Sequence, residues 1–302
     1  MGASLDAGDR LDGGTGRDVV FLHGDYSAGL TFDDQTIRNI EALRLGKGFD
    51  YDLTLADGNV AAGGTLTINA AALGAGNHLT FDGSQERDGH FVVFGGAGGD
   101  TLSVDGNHRD YVTLGSGTVT NVGTLMLGGT YLRPIRVNGD ITTLAIDTSG
   151  VTSTFGVDLS KATSSAYAIS TGSSHGTIEF GGNFSATDTI SGTGGTQLFL
   201  DGDYSAGLML SGAKLGGVTL LHVFNPGTVG NSFATVELGG DYSAGVSINT
   251  AGGPHLEFAS LKLDDGFDYK FTVAGSPSEQ TGATFASTPP RSAHRTRSSM
   301  TA

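Results

Sequence analysis

A six-residue string, Gly-Asp-Tyr-Ser-Ala-Gly, stands verbatim at 24–29, 202–207 and 240–245, with a worn copy at Gly182-Asn-Phe-Ser-Ala186. A longer repetition underlies it. Residues 13–58 overlay on 95–140 without a gap, at a constant offset of 82. Gly13, Gly14, Gly16 and Asp18 then meet Gly95, Gly96, Gly98 and Asp100, Asn39 meets Asn121, and Leu43 and Leu45 meet Leu125 and Leu127. The hexapeptide spacing is 20 residues from Asn183 to Asp203 and 38 on to Asp241, which predicts coils of about 19–20 residues. Units this small cannot bury an apolar face alone, so they must stack on their neighbours. The repetition therefore restricts the chain to a repeat architecture.

The strand signals agree. Short apolar or alternating runs lie at 19–22, 53–55, 66–68, 91–94, 141–146, 177–180, 197–200, 218–223, 236–238 and 269–273, most of them beside Gly, Asp or Asn. No long segment carries the 3.6-residue period of an amphipathic helix, and 69–76 holds one helical turn at most. Glycine supplies 51 of 302 residues without a three-residue period, which excludes collagen and favours a glycine-punctuated all-β chain. The predicted fold is all-β, a right-handed parallel β-solenoid of β-roll or β-helix type with glycine-rich corners. It is expected to span 1–274, with the duplicated unit at 13–94 and 95–176 and further corner repeats over 177–274. Gly-Asp-Tyr is expected to make the corner, with the tyrosine ring along the coil and its hydroxyl in water. From Gly275 the composition turns to Ser, Thr, Pro and Arg, so 275–302 is expected to be a disordered tail.

Two nine-residue strings carry the candidate chemistry. Gly13-Gly-Thr-Gly-Arg-Asp-Val-Val-Phe21 and Gly95-Gly-Ala-Gly-Gly-Asp-Thr-Leu-Ser103 both read G-G-x-G-x-D-x-U-x, where U is a large apolar residue. The glycines allow the backbone to approach an ion closely, the aspartate adds a hard oxygen ligand, and Val20 or Leu102 points to the core. The candidate metal residues are thus Gly13, Gly14, Gly16, Asp18, Gly95, Gly96, Gly98 and Asp100. Each loop offers about half a site, because the two lie 82 residues apart with poor neighbours. The alternative is a glycine corner inherited from a calcium-binding ancestor.

On these strings the chain resembles the RTX, or hemolysin-type calcium-binding, repeat proteins secreted by bacteria. The resemblance implies Ca2+ held between loops of adjacent turns by aspartates and glycine-loop carbonyls. It also implies export through a one-step channel, folding outside the cell on meeting calcium, and a secreted or cell-surface location. The expected role is structural or adhesive, not enzymatic, with calcium ions and a cell-surface or extracellular polymer as partners. The alternative is a polysaccharide-modifying β-helix enzyme, a lyase or epimerase, or a fragment of one. It would show Lys, Arg, Asp and aromatic side chains along one face.

Other chemistries find little support. The net charge of −15 repels nucleic acid and anionic membranes, and no apolar run is long enough to span a bilayer. Cysteine is absent, and no H-x-x-x-H pair occurs among eight histidines, so neither disulfides nor zinc are expected. The single G-x-S-x-G, Gly172-Ser-Ser-His-Gly176, precedes a strand-like run where a nucleophile elbow needs a helix. The repeat is already under way within a few residues of Met1, as expected of a fragment of a longer protein.

Overall fold

A computed structural model describes residues 4–223, except 105–106, 109–112, 116–118, 139–144, 164–165, 203, 205–207 and 212–214. Beyond these it gives the backbone of Ser232–Phe233, Val236–Gly239, Val246–Asn249, Glu257–Phe258, Ser260–Leu263, Phe271–Ala274 and Thr284–Ser287. The protein is all-β, built of parallel sheets stacked as a β-solenoid. Among the described residues the single helical piece is one 3-10 turn, Asp57–Asn59. The chain divides into two compact units, residues 1–133 with 138–153, and residues 134–137 with 154–302.

In the first unit two sheets run along the coil. One joins Val19–Leu22, Ala42–Leu45, Thr65–Asn69, His90–Phe94 and Val119–Thr120. The other joins Tyr26–Thr31, Tyr51–Thr54, Leu79–Asp82, Thr101–Val104, Thr124–Tyr131 and Ala145–Val151. Alternation along each strand sends every second side chain inward, and parallel register then stacks like on like. One inward ladder runs Val20, Leu43, Ile68, Val93, Val119, and the other Leu30, Leu53, Phe81, Leu102, Leu125, Ile146, all buried. The second unit repeats the arrangement with Ile135, Val157, Ile178, Leu198 and Leu221 in register. Parallel strands buried by such ladders hold their register, because a one-residue slip would expose the whole set.

One turn advances by 20 residues from Ile178 to Leu198 but by 28 from Leu53 to Phe81. The uniform coil of 19–20 residues expected from the hexapeptide spacing is not what forms. Strand register is fixed by the ladder, whereas corner loops can lengthen at small entropic cost, so the period drifts. The hexapeptides accordingly do not mark one corner. The copy at 202 follows Thr196–Leu200 and precedes Leu208–Ser211, while the copy at 240 follows Val236–Gly239 and precedes Val246–Asn249. Val246–Asn249 belongs to the sheet of Thr196–Leu200 through Val218–Val223, so the two copies connect the sheets in opposite directions. Residues 203, 205–207 and 240–245 themselves lie outside the described residues.

The tyrosine does not lie wet along the corner. In the first copy the corner is confined to Gly24 and Asp25, and Tyr26 already opens the strand Tyr26–Thr31 with its side chain buried. Its ring stacks on that of buried Tyr51, 5.9 Å between centroids. Tyr26 pairs with Tyr51 but Leu30 with Leu53, so the strand bulges between them, and Gly29 at φ 96° permits it. The Tyr51 hydroxyl donates to the carbonyl of Leu22, 3.1 Å, or Gly46, 2.9 Å, and accepts from the Gly46 N–H, 3.0 Å. Tyr131 bonds the Val104 carbonyl and Tyr204 the Gly181 carbonyl in the same way. Each hydroxyl satisfies a carbonyl where a strand of the preceding turn ends. Burial pushes the Tyr26, Tyr51 and Tyr204 hydroxyl pKa values up, as a phenol engaged in the core requires.

Within 275–302 the backbone of Thr284–Ser287 pairs in register with Ser260–Leu263, a further rung where disorder was expected. The rest of that tail lies outside the described residues.

Candidate functional site

The two nonapeptide loops are built on the same hydrogen bonds. The Gly13 N–H donates to the Arg38 carbonyl, and Gly95 to Thr120. The Asp18 carbonyl accepts from Glu41 and Ala42, and the Asp100 carbonyl from Gly123 and Thr124. Asn39 and Asn121 both take left-handed φ, 52° and 54°, and place their carbonyls against Gly13 and Gly95. A Cβ at either glycine would stand 2.2 Å from that oxygen, so only glycine fits. The 82-residue duplication is thus a repeated local structure.

The loops nevertheless sit on different sides of the coil. Val19–Leu22, after the first, joins the sheet of Ala42–Leu45, while Thr101–Val104, after the second, joins the sheet of Leu79–Asp82. The offset amounts to three turns plus one side. The loops therefore do not stack, and no ion can be shared between them.

Their carboxylates differ more than their sequences. In the second loop Asp100 is fully buried. One oxygen accepts the N–H of Leu79 in the turn beneath, 2.7 Å, and the other the N–H of Gly96 in its own loop, 2.6 Å. Burial pushes its pKa up, against these two bonds. Gly96 and Gly98 press on the turn beneath, where added Cβ atoms would lie 2.6 Å from Leu73 Cβ and 2.0 Å from the Asn77 carbonyl oxygen. In the first loop Gly14 and Gly16 instead take φ 79° and 126°, and residues 14–17 are exposed. The Gly14 N–H goes to Asp12, 2.9 Å, and the Asp18 N–H to the Glu41 carboxylate, 2.6 Å. The Asp18 Oδ2 is buried with no hydrogen-bond partner. The first loop thus presents an open glycine backbone around an unsatisfied carboxylate oxygen, a donor set that fits calcium. In the second, backbone N–H groups already occupy both oxygens.

Sequence reasoning missed a second carboxylate of the Asp100 kind. Asp188, buried at the entry to Thr189–Ser191, accepts from the Tyr167 N–H, 2.7 Å, and the Ser185 N–H, 2.6 Å. Leu79 and Tyr167 both stand 21 residues before their aspartates. An aspartate directly before a strand, one coil beyond another strand's start, was the available signal.

The second unit also carries an outward row. Arg136, Asp158, Glu179, Phe199 and His222 are successive register partners on one sheet. Arg136 Nε lies 3.6 Å from Asp158 Oδ2, and the Phe199 and His222 rings stack at 4.0 Å. Burial first, then the charges of Asp158 and Asp201, push the Glu179 pKa up. The folded state then holds its proton above the ordinary value of 4.5, so the associated stability is present below that value and is lost as pH rises through the raised one. Glu179→Gln is expected to leave acid stability unchanged and to raise neutral-pH stability by about 0.5–1 kcal/mol after solvent screening. Urea unfolding at pH 4 and pH 7.5 checks this, and an equal effect at both would contradict it.

Gly172-Ser-Ser-His-Gly176 runs straight into the strand Gly176–Phe180, so it is no nucleophile elbow. Among the described residues no helix is long and apolar enough to cross a membrane. No protein-family model, curated protein or solved structure matches the chain.

Proposed function

We propose that the chain is a calcium-binding structural or adhesive repeat module of a secreted or cell-surface protein of the RTX kind. In this reading Gly13, Gly14, Gly16 and Asp18 hold the ion, and the loop of Gly95, Gly96, Gly98 and Asp100 is its metal-free counterpart, closed by N–H groups. The observation that carries the reading is the buried, partnerless Oδ2 of Asp18 inside an exposed glycine loop. A cation there would satisfy the oxygen and join the loop to the turn of Asn39–Glu41. The adhesive part draws on a nearby strip. Val19 and Phe21 are about half exposed, and His23 lies between Phe21 and Phe49 at 5.9 and 5.0 Å, a strip of apolar and aromatic side chains for an extracellular polymer.

Calcium at ten times its Kd would stabilise the fold by about 1.4 kcal/mol per site, or about 2–4 °C in Tm. Thermal melting followed by circular dichroism, with and without calcium, is expected to show this rise in the native chain and a smaller one in Asp18→Ala. A calcium response identical in the two proteins would remove Asp18 from the site.

The row of Arg136, Asp158, Glu179, Phe199 and His222 favours a second reading, an enzyme acting on acidic polysaccharide. A carboxyl group whose pKa burial pushes up, set beside a second carboxyl group, is the pairing that acid–base catalysis on sugars uses. Turnover of acidic polysaccharide that disappears in Glu179→Gln would support this reading, and no turnover by the native chain would count against it.

A further inference from the structure

A different corner of the first unit gathers three carboxylates that neither nonapeptide includes. Asp57 belongs to the 3-10 turn after Tyr51–Thr54. Glu86 and Asp88 lie in the turn after Leu79–Asp82, the register partner of that strand one coil further on. Carboxylate oxygens of the three approach within 4.8 Å of one another.

Glu86 is the unusual member, because it is 95% buried, with a relative exposure of 5%. Its Oε1 accepts three successive backbone N–H groups, from Arg87 at 3.0 Å, Asp88 at 3.1 Å and Gly89 at 2.8 Å. Its Oε2 is buried and has no hydrogen-bond partner. The turn is held tightly around it. A Cβ on Gly89 would stand 2.6 Å from Val60 Cγ1 and 3.1 Å from Glu86 Cδ, and the Asp88 carbonyl accepts the Gly63 N–H at 2.8 Å. Asp57 is fixed by the Arg87 N–H on its Oδ1, 2.9 Å. The positive side chain nearby is the largely exposed Arg87, 3.7 Å from Asp57 Oδ2, a weak contact that leaves the cluster net negative. Leaving a buried carboxylate oxygen without a donor costs free energy, and here two further carboxylates crowd the same side chain.

We propose that Asp57, Glu86 and Asp88 form a calcium site that clamps two consecutive turns of the solenoid, separate from the nonapeptide loops. Oxygens on opposite sides of a calcium ion lie about 4.8 Å apart, twice the usual Ca–O distance of roughly 2.4 Å, and magnesium would require a tighter cage. Glu86 supplies the preorganised buried ligand, Asp57 brings the ligand from the neighbouring turn, and exposed Asp88 closes the site on the solvent side, where water completes the coordination. Since Asp57 precedes Glu86 by one coil, the ion would resist separation of the turns rather than organise a single loop.

The test is calorimetric titration of the full chain with calcium in magnesium-containing buffer, comparing the native protein with Glu86→Gln, Asp88→Asn and Asp18→Ala. The native chain is expected to bind one more calcium ion than Glu86→Gln, and Asp88→Asn to weaken that ion by about tenfold or more through the lost ligand charge. Asp18→Ala is expected to keep this ion, so failure of the nonapeptide reading would be told apart from failure here. The same calcium stoichiometry and affinity in the native chain and Glu86→Gln would overturn the proposal. Should Glu86→Gln fail to fold, unchanged binding in Asp88→Asn, whose side chain is exposed, would overturn it equally. Absence of any calcium binding by the native chain would overturn the proposal outright.

Discussion

Replacing Asp100 by alanine is expected to destabilise the protein by about 2–3 kcal/mol, whereas Asp18→Ala in calcium-free buffer should change stability by no more than about 0.5 kcal/mol. The two aspartates hold the same place in the same nine-residue string, so a reading from motif alone gives them equal weight. Asp100 accepts the Leu79 and Gly96 N–H groups from a fully buried position. Alanine would leave both donors buried without a partner, at about 1–3 kcal/mol each. Removal of the carboxylate also relieves the burial cost that raises its pKa, and this offsets part of the loss. Asp18 has a buried oxygen with no partner, so truncation forfeits no such bond. Urea unfolding of both variants, with EDTA present, measures the difference. Equal destabilisation would mean that Asp18 is as structurally engaged as Asp100.

The contrast shows what the sequence carried and what it did not. The inward ladders were legible, because a period-2 apolar pattern is local. Runs at 19–22, 66–68, 177–180 and 218–223 lie within strands, with Val20, Ile68, Ile178 and Leu221 facing the core. The gapless offset of 82 was legible too, and it survives as repeated hydrogen bonds around Gly13 and Gly95. The side of the coil on which each copy lands was not. That depends on the summed length of several corners, and corners of 20- and 28-residue turns carry no common signal. The tyrosines misled because the residue is amphipathic. Tyr26 reads as a wet corner residue, yet its ring finds that of Tyr51 only once the next turn is in place. Likewise Glu86 looks like an ordinary loop acid among Gln85, Arg87 and Asp88. Its burial comes from the folding of its own loop around it, a loop whose Gly89 lies against Val60 of the turn before. In a solenoid the environment of a polar side chain is set by residues one coil away, beyond the window in which composition and motif operate.

The same dependence predicts a divergence between the glycines at the fourth position of the two strings, Gly16 and Gly98. Gly98→Ala is expected to cost about 2–4 kcal/mol and Gly16→Ala about 1–2 kcal/mol. At Gly98 the objection is space. The new Cβ would lie 2.0 Å from the Asn77 carbonyl oxygen and 3.1 Å from its carbon, both backbone atoms of the turn beneath. Neither can rotate away, so the two turns must part locally. Parting them strains the Leu79 N–H bond to Asp100, which leaves the same stretch. Overpacking of about 1–3 kcal/mol therefore adds to a lost bond of about 1 kcal/mol. At Gly16 the nearest atom is Asp18 Oδ2 at 3.9 Å, and the objection is the backbone, whose φ of 126° an alanine rarely adopts. An exposed loop can relax toward another conformation, which limits the cost. That relaxation would displace the backbone proposed to surround the ion, so Gly16→Ala is expected to weaken calcium binding at Asp18 more than it weakens the fold. Gly98→Ala, by contrast, should lower stability while leaving the affinity of the folded first loop intact. Parallel measurements of unfolding midpoint and calcium affinity separate the two, and an equal loss of stability at both glycines would mean that the loops pack alike.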